Sequence, residues 1–236
     1  MSCGCTVEGH NLSAITCSSG STVEARARQS LGTSSVAIYE MVVKALKERN
    51  ISGGVVVDVG CGSGGLWSFL RDRFSKYIGV DVVRYDGFPD ACGFTRANLD
   101  TGRVDLPGEN ADVVVSVETI EHLENPRAFM RELVRLAKPG GWVIITTPNQ
   151  QSLLSLLTLI VKGRFAAFQD GDYPAHVTAL LEIDLRRIAM ECGLEEITVF
   201  YSHYGRAMFT ARHLPRALAR RFPKFFSDNL LLVGHK

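Results

Sequence analysis

The run VVVDVGCGSGGL at residues 55–66 constrains this chain more than any other segment. Four valines around one acid make an apolar stretch of strand length, which Gly60, Gly62, Gly64 and Gly65 then break. A continuous apolar run bounded by turn residues suits a strand buried on both faces. The glycines permit a sharp turn where a side chain would keep a ligand from the backbone, and residues 66–74 carry apolar side chains at helical spacing. Strand, glycine loop and helix in succession put free helix amides beside the carboxyl end of a parallel strand, the ligand crevice of a doubly wound α/β sheet. A nucleotide-like ligand is expected at the loop.

The loop lacks the Gly-Lys-Ser/Thr ending that holds a triphosphate, which argues against a phosphate loop. A second strand is predicted over residues 77–83, with Asp81 near its end, about 20 residues past the loop, where a carboxylate accepts two ribose hydroxyls; a turn or helix-cap acid is the ordinary alternative. Asp58 stands just before the glycines. An acid there suits a ligand bearing an ammonium or sulfonium better than a pyrophosphate, and so points to S-adenosylmethionine.

At these residues the chain resembles the class I S-adenosylmethionine-dependent methyltransferases. A second segment, VETIEHLENPRAFMRELVRLAKPGGWVIITTPN at residues 117–149, resembles their ubiquinone-biosynthesis-type O-methyltransferase branch, and the likeness extends over about residues 36–236. It implies a Rossmann-like α/β fold with helices on both faces of a seven-stranded sheet, in the order 3-2-1-4-5-7-6 with the last strand antiparallel. It implies an S-adenosylmethionine site built from Asp58, Gly60, Cys61, Gly62, Gly64, Asp81 and Val82. In such proteins an acid followed by an apolar residue meets the adenine amino group after the third strand. Asn98 and Leu99 align there, with Asp100 as a rival, and Ser116 and Val117 are expected near the methionine moiety.

Methyl transfer requires alignment of the acceptor and removal of its proton. Glu118, Glu121 and His122 directly follow the fourth strand, and on one helical turn they share a side. Two carboxylates and an imidazole can hold a divalent ion such as Mg or Zn, with His176 as a fourth ligand. This set resembles the metal site of small-RNA 3′-end ribose methyltransferases. Two other roles stay open: Glu121 and His122 acting in catalysis without metal, with His122 as the base, or both serving structure alone.

At 236 residues, 46% hydrophobic and 22% charged, the chain fits one domain with a substantial core. The expected organisation is a loose arm over residues 1–33 and a methyltransferase domain over residues 34–236. That domain carries a lid insertion at about residues 150–176 and a basic segment at about residues 203–228. Helices are expected over residues 34–49, from Pro126 to about Ala137, and over residues 178–192, and later strands over residues 94–97, 112–117, 142–147, 196–202 and 229–234. Six scattered cysteines make no disulfide framework and favour a reducing, cytoplasmic setting. Cys3 and Cys5 read as free thiols rather than zinc ligands, and His10, His203, His213 and His235 as ordinary surface or core residues. No secretory leader is expected, and no run approaches the ~20 residues of a membrane span.

Formal net charge is +1, so nothing global favours nucleic acid. Arginines interleaved with Met, Leu and Phe in residues 206–226, beside the apolar lid, suit an anionic or lipid-like acceptor and peripheral contact with a membrane. The expected acceptor is the oxygen of a small molecule, glycan or lipid-linked metabolite. RNA ribose 2′-O-methylation ranks second, and a non-catalytic cofactor-binding subunit third.

Overall fold

Strands buried on both faces need apolar residues at successive positions, and the valine-rich runs supply them. The computed structural model describes residues 19–101, 103–206 and 213–236. Its strands are β1 (Val55–Val59), β2 (Lys76–Asp81), β3 (Gly93–Arg96), β4 (Ala111–Ser116), β5 (Ala137–Pro148), β6 (Glu195–Tyr201) and β7 (Asn229–His235). They form a seven-stranded sheet in the order β3-β2-β1-β4-β5-β7-β6, with β1 to β5 paired in parallel and β7 antiparallel to both neighbours, as the resemblance implied.

The helices are α1 (Ser19–Gln29), α2 (Val36–Glu48), α3 (Trp67–Leu70), α4 (Pro126–Leu136), α5 (Leu153–Lys162), α6 (Glu182–Glu191) and α7 (Arg216–Arg221). Two apolar layers sandwich the sheet. Val57 and Val59 of β1, Val114 of β4 and Ile145 of β5 join Phe129 and Leu133 of α4 and Leu185 of α6 in one of them. Val56, Val113, Val115 and Ile144 join Val42 and Leu46 of α2 and Leu70 of α3 in the other. The period-two alternation along each strand sends its neighbours to opposite layers, and each fully buried side chain contributes about 1.5–3 kcal/mol. Helix α4 starts where the sequence says it should: Pro126 occupies the first turn and the Asn125 side chain accepts the Ala128 amide at 2.9 Å.

Several boundaries differ from expectation for physical reasons. Residues 19–33 are not part of a loose arm. Helix α1 is tied down by ion pairs of Arg26 with Asp100 and Glu124, by the pair of Arg96 with Glu24, and by the Tyr85 hydroxyl donating to the Ala27 carbonyl. Cys3, Cys5, His10 and Cys17 lie outside the described residues, as do residues 207–212 of the basic segment. The helix expected over residues 66–74 keeps only the four residues of α3, continued by single turns to Phe74. Helix α6 begins at Glu182 rather than at residue 178, and the amides of Val177 and Thr178 both donate to the Glu121 carbonyl. In the lid, Ser152 caps α5 by accepting the Ser155 amide, and Gly163 ends it at φ 71°. No helix among the described residues is long and apolar enough to cross a membrane.

Glu182 clamps the far edge of the fold. Burial opposes its ionisation, but hydrogen bonds from Tyr201, Arg186 and Lys224 outweigh that and hold its carboxyl at about 2, below the ordinary 4.5. A carboxyl that titrates lower when folded adds stability that is complete above the ordinary value and vanishes as pH falls through about 2. Glu182→Gln is therefore expected to lower stability by about 1–2 kcal/mol at pH 7. It should also flatten the stability decline between pH 4.5 and 2, as measured by denaturant unfolding across that range.

Candidate active site

The glycine loop leaves the carboxyl end of β1 with Gly60, Gly62 and Gly64 at φ 81°, 51° and 74°, in the region that favours glycine. A Cβ at Gly60 would sit 2.1 Å from the Thr119 hydroxyl, and one at Gly62 would sit 2.1 Å from the Gly32 carbonyl oxygen. One at Gly64 would sit 2.8 Å from Pro89. The glycines thus make room for neighbouring protein as well as for a ligand, and Gly64 lies outside the cavity wall. Gly60, Cys61 and Gly62 do line a cavity of about 430 Å³, together with Asp58, Asp81, Val82, Leu99 and Glu121.

Asp81 accepts the Gly62 amide at 2.9 Å and the Val83 amide at 3.2 Å, and burial pushes its carboxyl up. These bonds fix the carboxylate at the cavity wall with lone pairs to spare for ribose hydroxyls. Asp58 is 2% exposed and accepts the Tyr77 hydroxyl at 2.5 Å, while its second oxygen has no partner. Burial, opposed by the Tyr77 bond and reinforced by Asp81, raises its pKa to about 7. A buried carboxylate oxygen left unpaired calls for a cation, and the ammonium of S-adenosylmethionine fits it.

The adenine side departs from expectation. The Asn98 side chain accepts the Asp100 amide at 3.1 Å and caps a 3₁₀ turn over Leu99–Thr101, and Asn98 is not among the residues that line the cavity. Leu99 and its rival Asp100 do line the cavity, the latter held by Arg26. Ser116 is fully buried in the sheet and outside the lining, whereas Val117 and Glu118 belong to it.

The acid motif is also rearranged. Only Ile120–His122 form a helical turn, and Glu118 stands before it at φ 49°, so the shared helical side does not form. The Glu118 oxygens accept from Thr146 at 3.1 Å and Asn229 at 2.8 Å, and burial, opposed by those bonds, raises its pKa to about 7. Glu121 is 1% exposed; one oxygen accepts the Thr147 hydroxyl at 3.1 Å, the other has no partner, and burial together with Glu118 raises its pKa far above the carboxylate range.

His122 Nδ1 donates to the Ala175 carbonyl at 2.9 Å, and His176 Nδ1 donates to the Ala167 carbonyl. With Nδ1 engaged by a carbonyl in both rings, Nε2 is the nitrogen that each ring has left. Burial, only partly offset by the Ala175 bond and reinforced by His176, lowers the His122 pKa to about 4, so its ring is neutral at pH 7. The two rings stand edge to face at 4.7 Å. One ligand atom from each of Glu121, His122 and His176 lies within 4.8 Å of the others, and Glu118 is outside that group. The unpaired Glu121 oxygen and two backbone-anchored imidazoles fit a divalent ion, with three protein ligands rather than the four expected.

Sequence reasoning missed what α1 contributes: Arg26, Gln29 and Ser30 line the cavity, and no motif marks them. It also missed Thr146, Thr147 and Asn229, which support the acid motif from the ends of β5 and β7. The end of the segment TTPN carried the first two in plain view.

A family model described as a methyltransferase domain matches residues 37–221. The chain belongs to the methyltransferase-domain family. Within that family it is 30% identical over 180 residues to a protein of Mycolicibacterium smegmatis described as a probable S-adenosylmethionine-dependent methyltransferase; the match covers 74% of this chain and 65% of that relative. It is 28% identical over 159 residues to a ubiquinone biosynthesis O-methyltransferase of Chromobacterium violaceum, with 63% of this chain and 67% of the relative covered. Both relatives are described as methyltransferases, in line with the family match. The fold matches a crystal structure of a methyltransferase from Archaeoglobus fulgidus with TM-score 0.60 and 18% identity, over 89% of this chain and 97% of that one.

For this methyltransferase-domain chain, Gly62→Ala is expected to strain the loop by about 1–3 kcal/mol and to abolish cofactor binding. Asp81→Asn should weaken S-adenosylhomocysteine binding at least about tenfold. Calorimetric titration, with a thermal melt for each variant, checks both.

Proposed function

We propose that the protein transfers the methyl group of S-adenosylmethionine to an oxygen of a small molecule, glycan or lipid-linked metabolite. The observation that carries this reading is the unpaired Glu121 oxygen beside the two Nδ1-anchored imidazoles, on the same cavity wall as the glycine loop. An acceptor hydroxyl placed there gives its proton to Nε2 of His122 or to Glu121 as its oxygen attacks the methyl carbon in line with the sulfur. The new C–O bond forms, the C–S bond breaks, and S-adenosylhomocysteine leaves as a neutral thioether. Asp58 holds the donor's ammonium and Asp81 its ribose, so that the methyl group faces the acid motif. A divalent ion held by Glu121, His122 and His176 would supply Lewis acidity that lowers the pKa of the acceptor hydroxyl, and His122 would then serve as a ligand in place of its role as base.

Exposed Ile160 and Val161 on α5, with Phe222 and Phe225 at and beyond the end of α7, support the lipid-linked member of the acceptor class. The amide of Leu153 donates to the Phe225 carbonyl at 2.8 Å, which sets the two segments side by side.

Glu121→Gln is expected to lower kcat by about 10²–10⁴ with cofactor affinity little changed, in an assay of labelled methyl transfer to lipid, polar-metabolite and RNA fractions of a cell extract. Label confined to RNA would replace the small-acceptor reading with ribose methylation. Treatment with a chelator should remove bound metal and activity together from the wild-type protein, and His176→Ala should hold less metal on elemental analysis. Full activity in metal-free protein would eliminate the ion's role and leave His122 as the base.

A further inference from the structure

A second cavity, about 700 Å³, adjoins the first. Ser35, Glu118, Asp172 and His176 line both, so the two cavities share a wall beside the acid motif, and the second extends between α5 and the segment after β6. Its size is that of a small-ligand site. Apolar Val36, Leu154 and Ala166 form part of its wall, and at one end Tyr204, Arg206, His213 and Arg216 come together. His213, read from the sequence as an ordinary residue, thus belongs to a cavity.

The charges in this lining are not equally free. Asp228 is taken by the amide and Nε of Arg206, Glu118 by Thr146 and Asn229, and Asp172 by the amide of Gln169. Glu40, on α2, is exposed. Among the described residues, the side chain of Arg206 spends only Nε on a carboxylate, that of Asp228. Arg216 has no carboxylate partner among the described residues, and its guanidinium lies 4.5 Å over the Tyr204 ring, against whose edge the His213 ring stands at 5.7 Å. Stacking fixes the plane of a guanidinium while its N–H fork stays open in that plane, the geometry that meets a carboxylate or phosphate with two bonds.

We propose that the second cavity is the acceptor chamber and that Arg216, with Arg206 and His213, binds an oxyanion of the acceptor, a carboxylate or a phosphate monoester. The inference rests on the methyltransferase reading above, and it narrows the acceptor to a molecule with an anionic group at one end and the reacting oxygen at the other. The oxyanion anchors at the Tyr204 end, and the apolar wall receives the body. The reacting oxygen then points past His176 to Glu121.

The test is calorimetric titration of the full chain, saturated with S-adenosylhomocysteine, with benzoate, phenyl phosphate and neutral benzyl alcohol. At least one of the two anions is expected to bind the wild type more tightly than the alcohol, and to lose affinity at least about tenfold in Arg216→Ala. Arg216→Lys should restore part of that loss. Arg220→Ala, on the same helix and outside the cavity lining, should bind as wild type does. Equal binding of anion and alcohol, an unchanged Arg216→Ala, or an equal loss in Arg220→Ala would each overturn the proposal. S-adenosylhomocysteine should bind Arg216→Ala and wild type alike; its failure to bind wild type would instead sink the methyltransferase reading.

Discussion

Three carboxylates buried with too few donors dictate the rest of this structure. Asp58, Asp81 and Glu121 stand at or just beyond the carboxyl ends of β1, β2 and β4, strands that the parallel order makes neighbours. Burial drives each of them toward its neutral form. What they receive from the protein is small: one tyrosine hydroxyl, two or three amides and one threonine hydroxyl. A fold that desolvates acids to this degree is less stable than it would be with apolar residues in their place. On the proposed reading the compensation comes from outside the chain, as a cationic donor with hydroxyls on its ribose.

Much of this was legible in the sequence because it rests on local pattern. The run around Val57, the glycines at 60, 62 and 64 and the acid at 81 are one-dimensional signals, and the structure puts Gly60, Gly62 and Asp81 on one cavity wall. The sheet order came from likeness to a family, since apolar periodicity gives strands but not their neighbours. Glu118 was misplaced because its side was inferred from ideal helix geometry, and a residue at φ 49° obeys no such spacing. Asn98 was placed by alignment, which does not foresee that its side chain caps its own turn.

The contributions of α1 and of the second cavity were hidden for another reason. Arg26 meets Asp100 across 74 positions of sequence, and Asn229 meets Glu118 across 111. Such pairs carry no periodicity and no motif. The second follows from the return of the chain between β5 and β6 at β7, which brings the last strand against β5 and delivers Asn229 to the acid motif. The basic segment gave a composition signal, but only the structure puts Arg206 and Arg216, and not Arg220 or Arg221, on the wall of the second cavity.

The contact between the Gly60 backbone and Thr119 binds the donor loop to the acid motif more closely than either motif suggests alone. Any residue larger than glycine at 60 displaces the threonine that lies between Glu118 and the Ile120–His122 turn, and with it the acids on either side. The two motifs are therefore one unit under mutation: a change in either is felt by both, and neither can drift to suit a new acceptor while the other stays fixed. If the second cavity receives the acceptor, as proposed, changes of acceptor fall on the walls that do not touch that contact, the lid and the segment around Tyr204. Those are also the parts of the chain whose sequence was hardest to read.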